Sequence, residues 1–138
     1  MKPYVHTVQY YETDKMGITH HSNYIRWMEE ARVDFLKQEG LDYAGLEEEG
    51  IVSPTIEVNC KYKKSTTFPD TVQITVHVRA FNGVKLFLVY EMKTDDQKTV
   101  AEAESVHCFL NKEGKPVRME KEYPALYNKL RSLVEETA

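Results

Sequence analysis

Cysteine is scarce in this sequence, and the two cysteines present are not spaced as metal ligands or disulfide partners. Cys60 and Cys108 are the only ones among the 138 residues, and no CxxC pair occurs. Neither a zinc site nor a disulfide framework is therefore indicated. We expect both thiols to be reduced and buried inside strands, where a free cysteine behaves as a small apolar residue.

The sequence also lacks a net positive charge and long apolar runs. The 18 Lys and Arg residues against 22 Asp and Glu residues give a net charge of −4, which offers DNA or RNA no basic surface. No segment approaches the roughly 18 consecutive apolar residues of a membrane span, and the N-terminus lacks the apolar core of a signal peptide. We therefore expect a cytoplasmic protein that neither crosses a membrane nor binds nucleic acid.

The length of the chain limits how many domains it can form. A chain of 138 residues buries about 68% of its unfolded surface as one domain and is too short for two. Apolar residues make up 41% of the sequence and charged residues 29%, as in ordinary globular proteins. We expect a single domain over residues 1–138.

One long helix is predicted after a charged connection. From about residue 22, apolar side chains recur at the spacing of one helix face, and Gly40 is a natural end. The helix would have about 17 residues, with Ser22 or Asn23 as its N-cap. Shorter helices are expected over residues 42–48 and 125–134. The apolar face of the long helix comprises Tyr24, Trp27, Met28, Ala31 and Phe35.

The rest of the chain favours β-strands. Residues 4–11 indicate a first strand, and four later segments alternate apolar and polar residues with a period of two. Asn82-Gly83 marks a hairpin turn between two of them. The four segments are residues 56–62, 71–80, 84–93 and 100–110. Long strands with a single long helix predict an α+β fold, in which a curved, mainly antiparallel five-stranded sheet wraps the helix.

Apolar residues outside the main stripe predict an assembly. We expect Phe81, Phe87 and Val89 on the outer face of the sheet, where they would be exposed in a single chain. A second copy can cover such a surface by sheet extension or by sheet stacking. We therefore expect a homodimer or a homotetramer.

The connection before the long helix contains residues suited to acyl transfer. Unpaired N–H groups and a partial positive charge at the beginning of a helix suit an oxygen that becomes negative during a reaction. The amides near His21 to Tyr24 are therefore candidate oxyanion donors, and Asp14 is a candidate base or nucleophile. Gly17 allows the connecting backbone to fold back over the helix end. The alternative is that Asp14 is only a turn residue.

Other titratable residues are assigned no chemistry. His20 and His21 are adjacent and project in different directions, and no HExxH motif occurs, so we expect no metal. Glu12 is expected to be a solvated strand end. His6 and His107 are expected to be strand-face residues with ordinary hydrogen bonds.

The segment from residue 10 to residue 32, YYETDKMGITHHSNYIRWMEEAR, resembles a known signature. It combines an Asp, a Gly three positions later, a His seven later, Asn-Tyr nine and ten later, and Glu-x-Ala-Arg on the helix. This pattern resembles the hotdog-fold acyl-CoA thioesterases, the group of 4-hydroxybenzoyl-CoA thioesterase and the Tol-Pal-associated enzymes. The resemblance implies a hotdog fold, with which the predicted order of elements agrees over nearly the whole chain.

The resemblance assigns a role to most residues of this segment. It implies that Asp14 is the catalytic carboxylate, and that His21 polarises the thioester carbonyl through its backbone N–H or its imidazole. The implied oxyanion and positioning residues are Gly17, Asn23 and Tyr24, and the implied acyl-pocket residues are Tyr10, Tyr11 and Trp27. Two residues depart from the pattern: Lys15 replaces a small residue or proline, and His20 replaces an aromatic residue.

Four basic residues near predicted strand ends are candidate contacts for the phosphates of coenzyme A. Lys63 and Lys64 lie in the run KYKKS, and Arg79 and Lys85 flank a predicted hairpin. We list these four as candidate CoA contacts, with solvated strand ends as the equal alternative.

The leading interpretation is a hydrolase that cleaves an acyl-CoA or acyl-carrier-protein thioester with an aliphatic or aromatic acyl group. It needs no cofactor, since CoA is part of the substrate. A leaving thiol like that of cysteine, with a pKa of about 8.5, departs as a thiolate with little acid help, which suits a sequence without a GxSxG elbow. The alternatives are hydration or dehydration of a 3-hydroxyacyl thioester, and binding of an acyl ligand without catalysis.

Overall fold

A five-stranded antiparallel sheet is the main element of the computed structural model, which describes residues 2–41 and 43–137, without the side chains of residues 43, 44 and 135–137. The strands of the described residues are β1 (Tyr4–Thr7), β2 (Ile51–Val52), β3 (Thr55–Tyr62), β4 (Thr71–Phe81), β5 (Lys85–Thr94), β6 (Thr99–Cys108) and β7 (Leu110–Asn111). The large sheet has the order β1-β4-β5-β6-β3, and β2 pairs with β7 in a separate ribbon. The predicted α+β fold with a five-stranded antiparallel sheet is confirmed.

The long helix α1 packs against one face of this sheet. It spans Ser22–Gln38, 17 residues as predicted, and contacts β1, β3 and β4. Gly40 lies two residues after the last residue of the helix, and its φ of +77° lets the N–H groups of Gly40 and Leu41 bond back to the last turn. The other helices are α2 (Tyr43–Glu48), α3 (Met119–Glu122) and α4 (Pro124–Thr137). Residue 42, where the second helix is predicted to begin, lies outside the described residues. No described helix is long and apolar enough to span a membrane.

The core lies between α1 and the inner face of the sheet. Alternate residues of β4 and β5 point inward and are buried, as their period of two predicts. They are Val72, Ile74, Val76, Val78, Leu86, Leu88, Tyr90 and Met92. Burying one such large side chain contributes about 1.5–3 kcal/mol, so this layer supplies much of the driving force for folding. Helix α4 packs against β4 and adds Leu130 and Leu133 to the core.

A β-bulge changes which side chains at the end of β4 point into the core. The register with β5 shifts between Val78 and Ala80, so that one extra residue is inserted in β4. Phe81 therefore turns inward, is buried, and meets Phe109 edge-on with ring centroids 5.9 Å apart. The prediction that Phe81 lies on the outer face is wrong, whereas Phe87 is half-buried there.

The first strand is shorter than predicted. β1 ends at Thr7, and Tyr10–Glu12 form a 3-10 turn instead of continuing the strand to residue 11. The N–H of Gln9 donates to the Glu12 carboxylate at 2.7 Å, which closes the chain into this turn. The two tyrosines of the turn therefore leave the sheet.

Both cysteines lie in strands and are free, as predicted. Cys108 is buried at the end of β6, and Cys60 is half-buried in β3. Burial raises the pKa of the Cys60 thiol. The thiol is therefore protonated at neutral pH and poorly reactive.

A buried polar network joins α1 to β6. Arg32 Nη1 donates to His107 Nδ1 at 2.8 Å, and His107 Nε2 lies 2.7 Å from Ser105 Oγ. Because a guanidinium can only donate, Nδ1 accepts and the ring proton lies on Nε2. Burial, together with the positive charge of Arg32, lowers the pKa of His107 to about 3. His107 is therefore a neutral core residue, and not the ordinary strand-face histidine expected.

We expect His107 to lower the stability of the protein in mild acid. Between its ordinary pKa of 6.5 and about 3, only the unfolded chain protonates this histidine. The free energy of unfolding therefore falls as the pH falls through this window, by up to about 1.4 kcal/mol per pH unit from this residue. In His107→Gln, a neutral amide can accept from Arg32 and donate to Ser105, so the dependence should be shallower. Urea unfolding at one protein concentration, between about pH 4 and 6, measures both slopes; equal slopes would contradict the expectation.

Candidate active site

The connection between the 3-10 turn and α1 is a narrow hairpin, residues 12–20, which we call the site hairpin. Gly17 lies at its tip with a φ of +80°, and its N–H bonds to the carbonyl of Asp14. This left-handed conformation is the one that glycine adopts without strain. The rungs of the site hairpin pair Glu12 with His20, Thr13 with Thr19 and Asp14 with Ile18.

Thr66 anchors the site hairpin to the segment that follows β3. Its buried Oγ1 lies 2.7 Å from Thr19 Oγ1 and 3.0 Å from the hydroxyl of Tyr24. The Thr66 carbonyl also accepts from the N–H of Thr19 at 2.8 Å. Near the tip, Thr67 Oγ1 donates to the carbonyl of Gly17 at 2.6 Å. One side of the site hairpin is therefore bonded to this segment.

The helix begins without the side-chain cap predicted at Ser22 or Asn23. Ser22 is already helical, and the residue before it, His21, makes no side-chain cap bond. Asn23 is buried, and its side-chain amide donates to the carbonyls of Glu12 at 3.0 Å and His20 at 3.3 Å. Asn23 therefore ties the first turn of α1 to the base of the site hairpin.

The backbone N–H of His21 points out of the helix end. The carbonyl of His20, in the same peptide unit, accepts from the N–H of Asn23 at 3.0 Å inside the first turn. Since the C=O and N–H of a trans peptide point in opposite directions, the N–H of His21 is directed outward. Among the described residues, no group accepts a hydrogen bond from it. It is a free donor at the positive end of the helix dipole.

Asp14 lies on the site hairpin at the same end of α1. It is two residues beyond the rung of Glu12 and His20, roughly 7 Å along the chain. Its half-buried carboxylate accepts from the N–H of Met16 at 2.8 Å through Oδ1. Within the described part of the chain, no donor meets Oδ2. The carboxylate is therefore oriented by one bond and has one free oxygen.

A cavity of about 200 Å³ opens beside His21, between the site hairpin, α1 and the segment after β3. The hydroxyl of Tyr62 donates to the carbonyl of His21 at 3.2 Å. Burial raises the pKa of both Tyr24 and Tyr62, so their hydroxyls keep their protons at neutral pH. Residues at the cavity include Ile18, His21, Tyr24, Tyr62, Lys63 and Lys64, whereas Asp14 lies outside its lining.

The three aromatic residues predicted to line an acyl pocket do not line the cavity beside His21. Tyr10 and Tyr11 project from the 3-10 turn and are 78% and 81% exposed, away from the cavity lining. Trp27 is in the core at 0% exposure, with its Nε1 donating to the carboxylate of Glu12 at 2.8 Å. Both its ring and its N–H therefore have internal partners, and its assignment to an acyl pocket stays a prediction. Tyr62 supplies an aromatic wall that the sequence reading missed.

The four cations predicted to contact coenzyme A are spread along the sheet. Lys63 and Lys64 lie at the cavity, beside the start of β6. Lys85 pairs in register with the last residue of β6, roughly 26 Å away. Arg79 forms an ion pair with Glu104, with 3.0 Å between Nη1 and Oε1. A single chain thus brings two of the four to the cavity.

Glu12 is a residue of this region whose setting differs from that predicted. It is 6% exposed, so the prediction of a solvated strand end is wrong. Burial acts to raise its pKa, but hydrogen bonds from Gln9, His6 and Trp27 outweigh burial and hold the pKa below its usual value. The one sequence signal for this is the capping-box spacing of Gln9 and Glu12, which the structure forms.

Comparisons with known proteins identify the family of the chain and its fold. The family model of the thioesterase-like superfamily matches residues 8–130. YneP, a putative acyl-CoA thioesterase of Bacillus subtilis (strain 168), is 34% identical over 118 residues, which cover 85% of this chain and 86% of the relative. A putative esterase of Aquifex aeolicus (strain VF5) is 35% identical over 119 residues, covering 86% and 91%. A solved DHNA-CoA thioesterase from Staphylococcus aureus has a TM-score of 0.90 and 29% identity, over 98% of this chain and 91% of that one.

The matched region contains the complete site hairpin, all of α1 and the strands β3 to β6. It therefore includes the signature of residues 10–32 together with the sheet that supports it. The chain belongs to the thioesterase-like superfamily, and it has the hotdog fold and the thioester-hydrolase class that this signature predicts.

Proposed function

We propose that the chain hydrolyses an acyl-CoA thioester to a free acid and coenzyme A at the start of α1. The observation that supports this most is the free N–H of His21 at the helix end, with the Asp14 carboxylate on the hairpin that leads to it. Relatives named acyl-CoA thioesterase and DHNA-CoA thioesterase support coenzyme A as the leaving group.

In the proposed mechanism, the thioester carbonyl oxygen accepts a hydrogen bond from the N–H of His21. Asp14 removes a proton from a water that attacks the carbonyl carbon, or attacks that carbon itself to form an acyl anhydride, which a water then hydrolyses to the free acid and the regenerated carboxylate. Negative charge then builds on the carbonyl oxygen, and its collapse breaks the C–S bond and releases the CoA thiolate. One such oxyanion donor lowers the barrier by about 3–4 kcal/mol.

The cavity beside His21 suits the CoA arm of the substrate. Lys63 and Lys64 at its border are exposed cations that attract phosphate groups. Tyr24 and Tyr62 provide an apolar wall for the part of the substrate near the thioester. We therefore place the phosphates at the lysines and the reacting carbon at the helix end.

The test is a thiol-release assay on a panel of short aliphatic, long aliphatic and aromatic acyl-CoAs. We expect release of free thiol from at least one of them, and a turnover at least about 100-fold lower in Asp14→Asn. Asparagine keeps the oxygen that accepts from Met16, so this variant should fold normally while losing the charge. Circular dichroism and thermal unfolding check that it does.

Asp96→Asn is the matched control for this variant. Asp96 also accepts a backbone N–H in a turn, between β5 and β6, so the same chemical change is made away from α1. Equal turnover of Asp14→Asn and native protein would remove Asp14 from the mechanism. Loss of substrate without free thiol would indicate hydration instead, and binding without turnover would indicate a carrier.

We expect a smaller loss of turnover in His21→Ala than in Asp14→Asn. The alanine variant keeps the backbone N–H and removes only a ring that stacks on His20 with centroids 4.3 Å apart. Kinetic constants of both variants, measured on the best substrate of the panel, compare the two losses. A loss in His21→Ala as large as that in Asp14→Asn would assign the chemistry to the imidazole.

We further propose that two copies of the chain pair through β3 to form a homodimer. A homotetramer would consist of two such dimers. β3 is an edge strand of the large sheet, and its residues Ile56, Val58 and Tyr62 are 49%, 41% and 47% exposed. An exposed edge with apolar side chains is a surface that pairing with a second chain covers. Sheet extension through β3 satisfies both its backbone groups and its apolar side chains.

Analytical ultracentrifugation at micromolar concentration tests this assembly. We expect native protein to sediment as a dimer or larger, and Val58→Glu to shift toward monomer because each contact would bury a carboxylate. Asn59→Glu places the same charge on the opposite face of β3 and should disturb the assembly less. A native protein that sediments as a monomer would contradict the proposal.

A further inference from the structure

We propose that Glu12 is a positioning residue of the hydrolase, which sets the distance between the Asp14 carboxylate and the His21 N–H. The proposal rests on the function proposed above for those two groups. Glu12 touches neither the cavity nor the proposed reacting atoms. It acts by holding the base of the site hairpin against α1.

Both oxygens of the Glu12 carboxylate accept hydrogen bonds, from three donors in different parts of the chain. Oε1 accepts from His6 Nε2 of β1 at 2.8 Å and from the N–H of Gln9 at 2.7 Å. Oε2 accepts from Trp27 Nε1 of α1 at 2.8 Å. A buried carboxylate with such partners has little freedom to move, because each displacement loses a charge-assisted hydrogen bond.

The main chain of Glu12 holds the other end of the site hairpin. Its carbonyl accepts from the N–H of His20 at 2.8 Å and from the side-chain amide of Asn23 at 3.0 Å. The chain thus leaves the base of the hairpin at Glu12 and returns to it at His20. Both strands of the hairpin and the first turn of the helix meet at this one residue.

The consequence for catalysis is geometric. Asp14 is two residues after Glu12, and His21 immediately follows the residue bonded to its carbonyl. If the Glu12 side chain shifts relative to Trp27, the base of the site hairpin therefore moves relative to the beginning of α1. A misplacement of about 1 Å in reacting groups can lower a rate about 100-fold.

Glu12→Gln tests this with almost no change of shape. A glutamine can present its oxygen to Gln9 and His6, but its NH₂ group then faces the N–H of Trp27, donor against donor. We expect kcat to fall about 100-fold while KM changes less than about threefold. Loss in kcat alone is the signature of misplaced reacting groups with an intact binding surface.

Trp27→Phe removes the opposing donor and gives a second measurement. Alone, it leaves Oε2 of Glu12 without its partner, and we expect kcat to fall about tenfold with KM unchanged. Combined with Glu12→Gln, it removes the clash between donors, so the double variant should have a kcat about tenfold above that of Glu12→Gln. If Glu12→Gln does not fold, Trp27→Phe alone provides the kcat and KM comparison.

Ser105→Ala is the control for a general loss of stability. Ser105 Oγ bridges Tyr90 and His107 in the other buried polar network, at 2.7 Å from each. Its loss should lower the unfolding midpoint, while kcat should stay within about twofold of native. All variants are assayed well below their own unfolding midpoints.

Asp14→Asn, measured beside these variants, separates the possible outcomes. If Asp14→Asn loses turnover but Glu12→Gln and Trp27→Phe keep native kcat, the role of Glu12 is refuted and the proposed function stands. A rise of KM without a fall of kcat, or an equal fall in Ser105→Ala, also refutes positioning. If Asp14→Asn keeps full turnover, Asp14 has no part in the mechanism, and the role of Glu12 in placing it is refuted as well. The proposed function itself fails only if native protein releases no thiol from any acyl-CoA of the panel.

Discussion

The beginning of α1 is held by hydrogen bonds to the site hairpin and to Thr66 and not by a serine, threonine or asparagine cap, although His20 Nδ1 accepts from the N–H of Ser22 at 3.2 Å. A serine, threonine or asparagine cap would occupy N–H groups of the first turn. Here Asn23 points backward to Glu12 and His20, and Thr66 holds the hydroxyl of Tyr24. A missing cap costs about 1 kcal/mol, which these bonds offset. The helix end can therefore be both fixed in place and open at the N–H of His21, as the proposed oxyanion site requires.

Two buried polar networks hold α1 on the five-stranded sheet. α1 is bonded at its beginning to the site hairpin and again at Arg32, ten residues or roughly 15 Å further on, to His107 of β6. These two buried networks fix the position of the helix on the sheet more specifically than apolar packing alone does. The helix still leaves the side chains of the edge strand β3 exposed. The same geometry that fixes the site thus leaves the surface proposed for dimerisation.

The sequence predicted the helices and strands whose apolar residues follow a local period. It failed for side chains whose surroundings are set by residues far away in the chain. Spacing along one helix face predicts the start of α1, and alternation places β3 to β6 within two residues of their observed ends. Phe81 is misplaced because a bulge, which alternation does not reveal, reverses the face of one strand end. Glu12 and His107 are misjudged because their partners lie 15 and 75 residues away, on Trp27 and Arg32. The resemblance implied the roles proposed for Asp14 and His21, and the pocket role it implied for Trp27 takes no account of the burial of that helix face.

Two carboxylates lie near the positive end of α1, and their surroundings suit them to different tasks. Both oxygens of Glu12 already accept hydrogen bonds, and its pKa is held low, so it can neither take a proton readily nor reach a substrate. Asp14 uses only Oδ1, for the N–H of Met16, and is half-buried instead of enclosed. A carboxylate with a free oxygen can accept a proton from water or attack a carbon, whereas a buried one whose two oxygens both accept hydrogen bonds holds its neighbours in place. The spacing Glu-x-Asp in residues 12–14 thus places a structural carboxylate directly beside the one proposed to react.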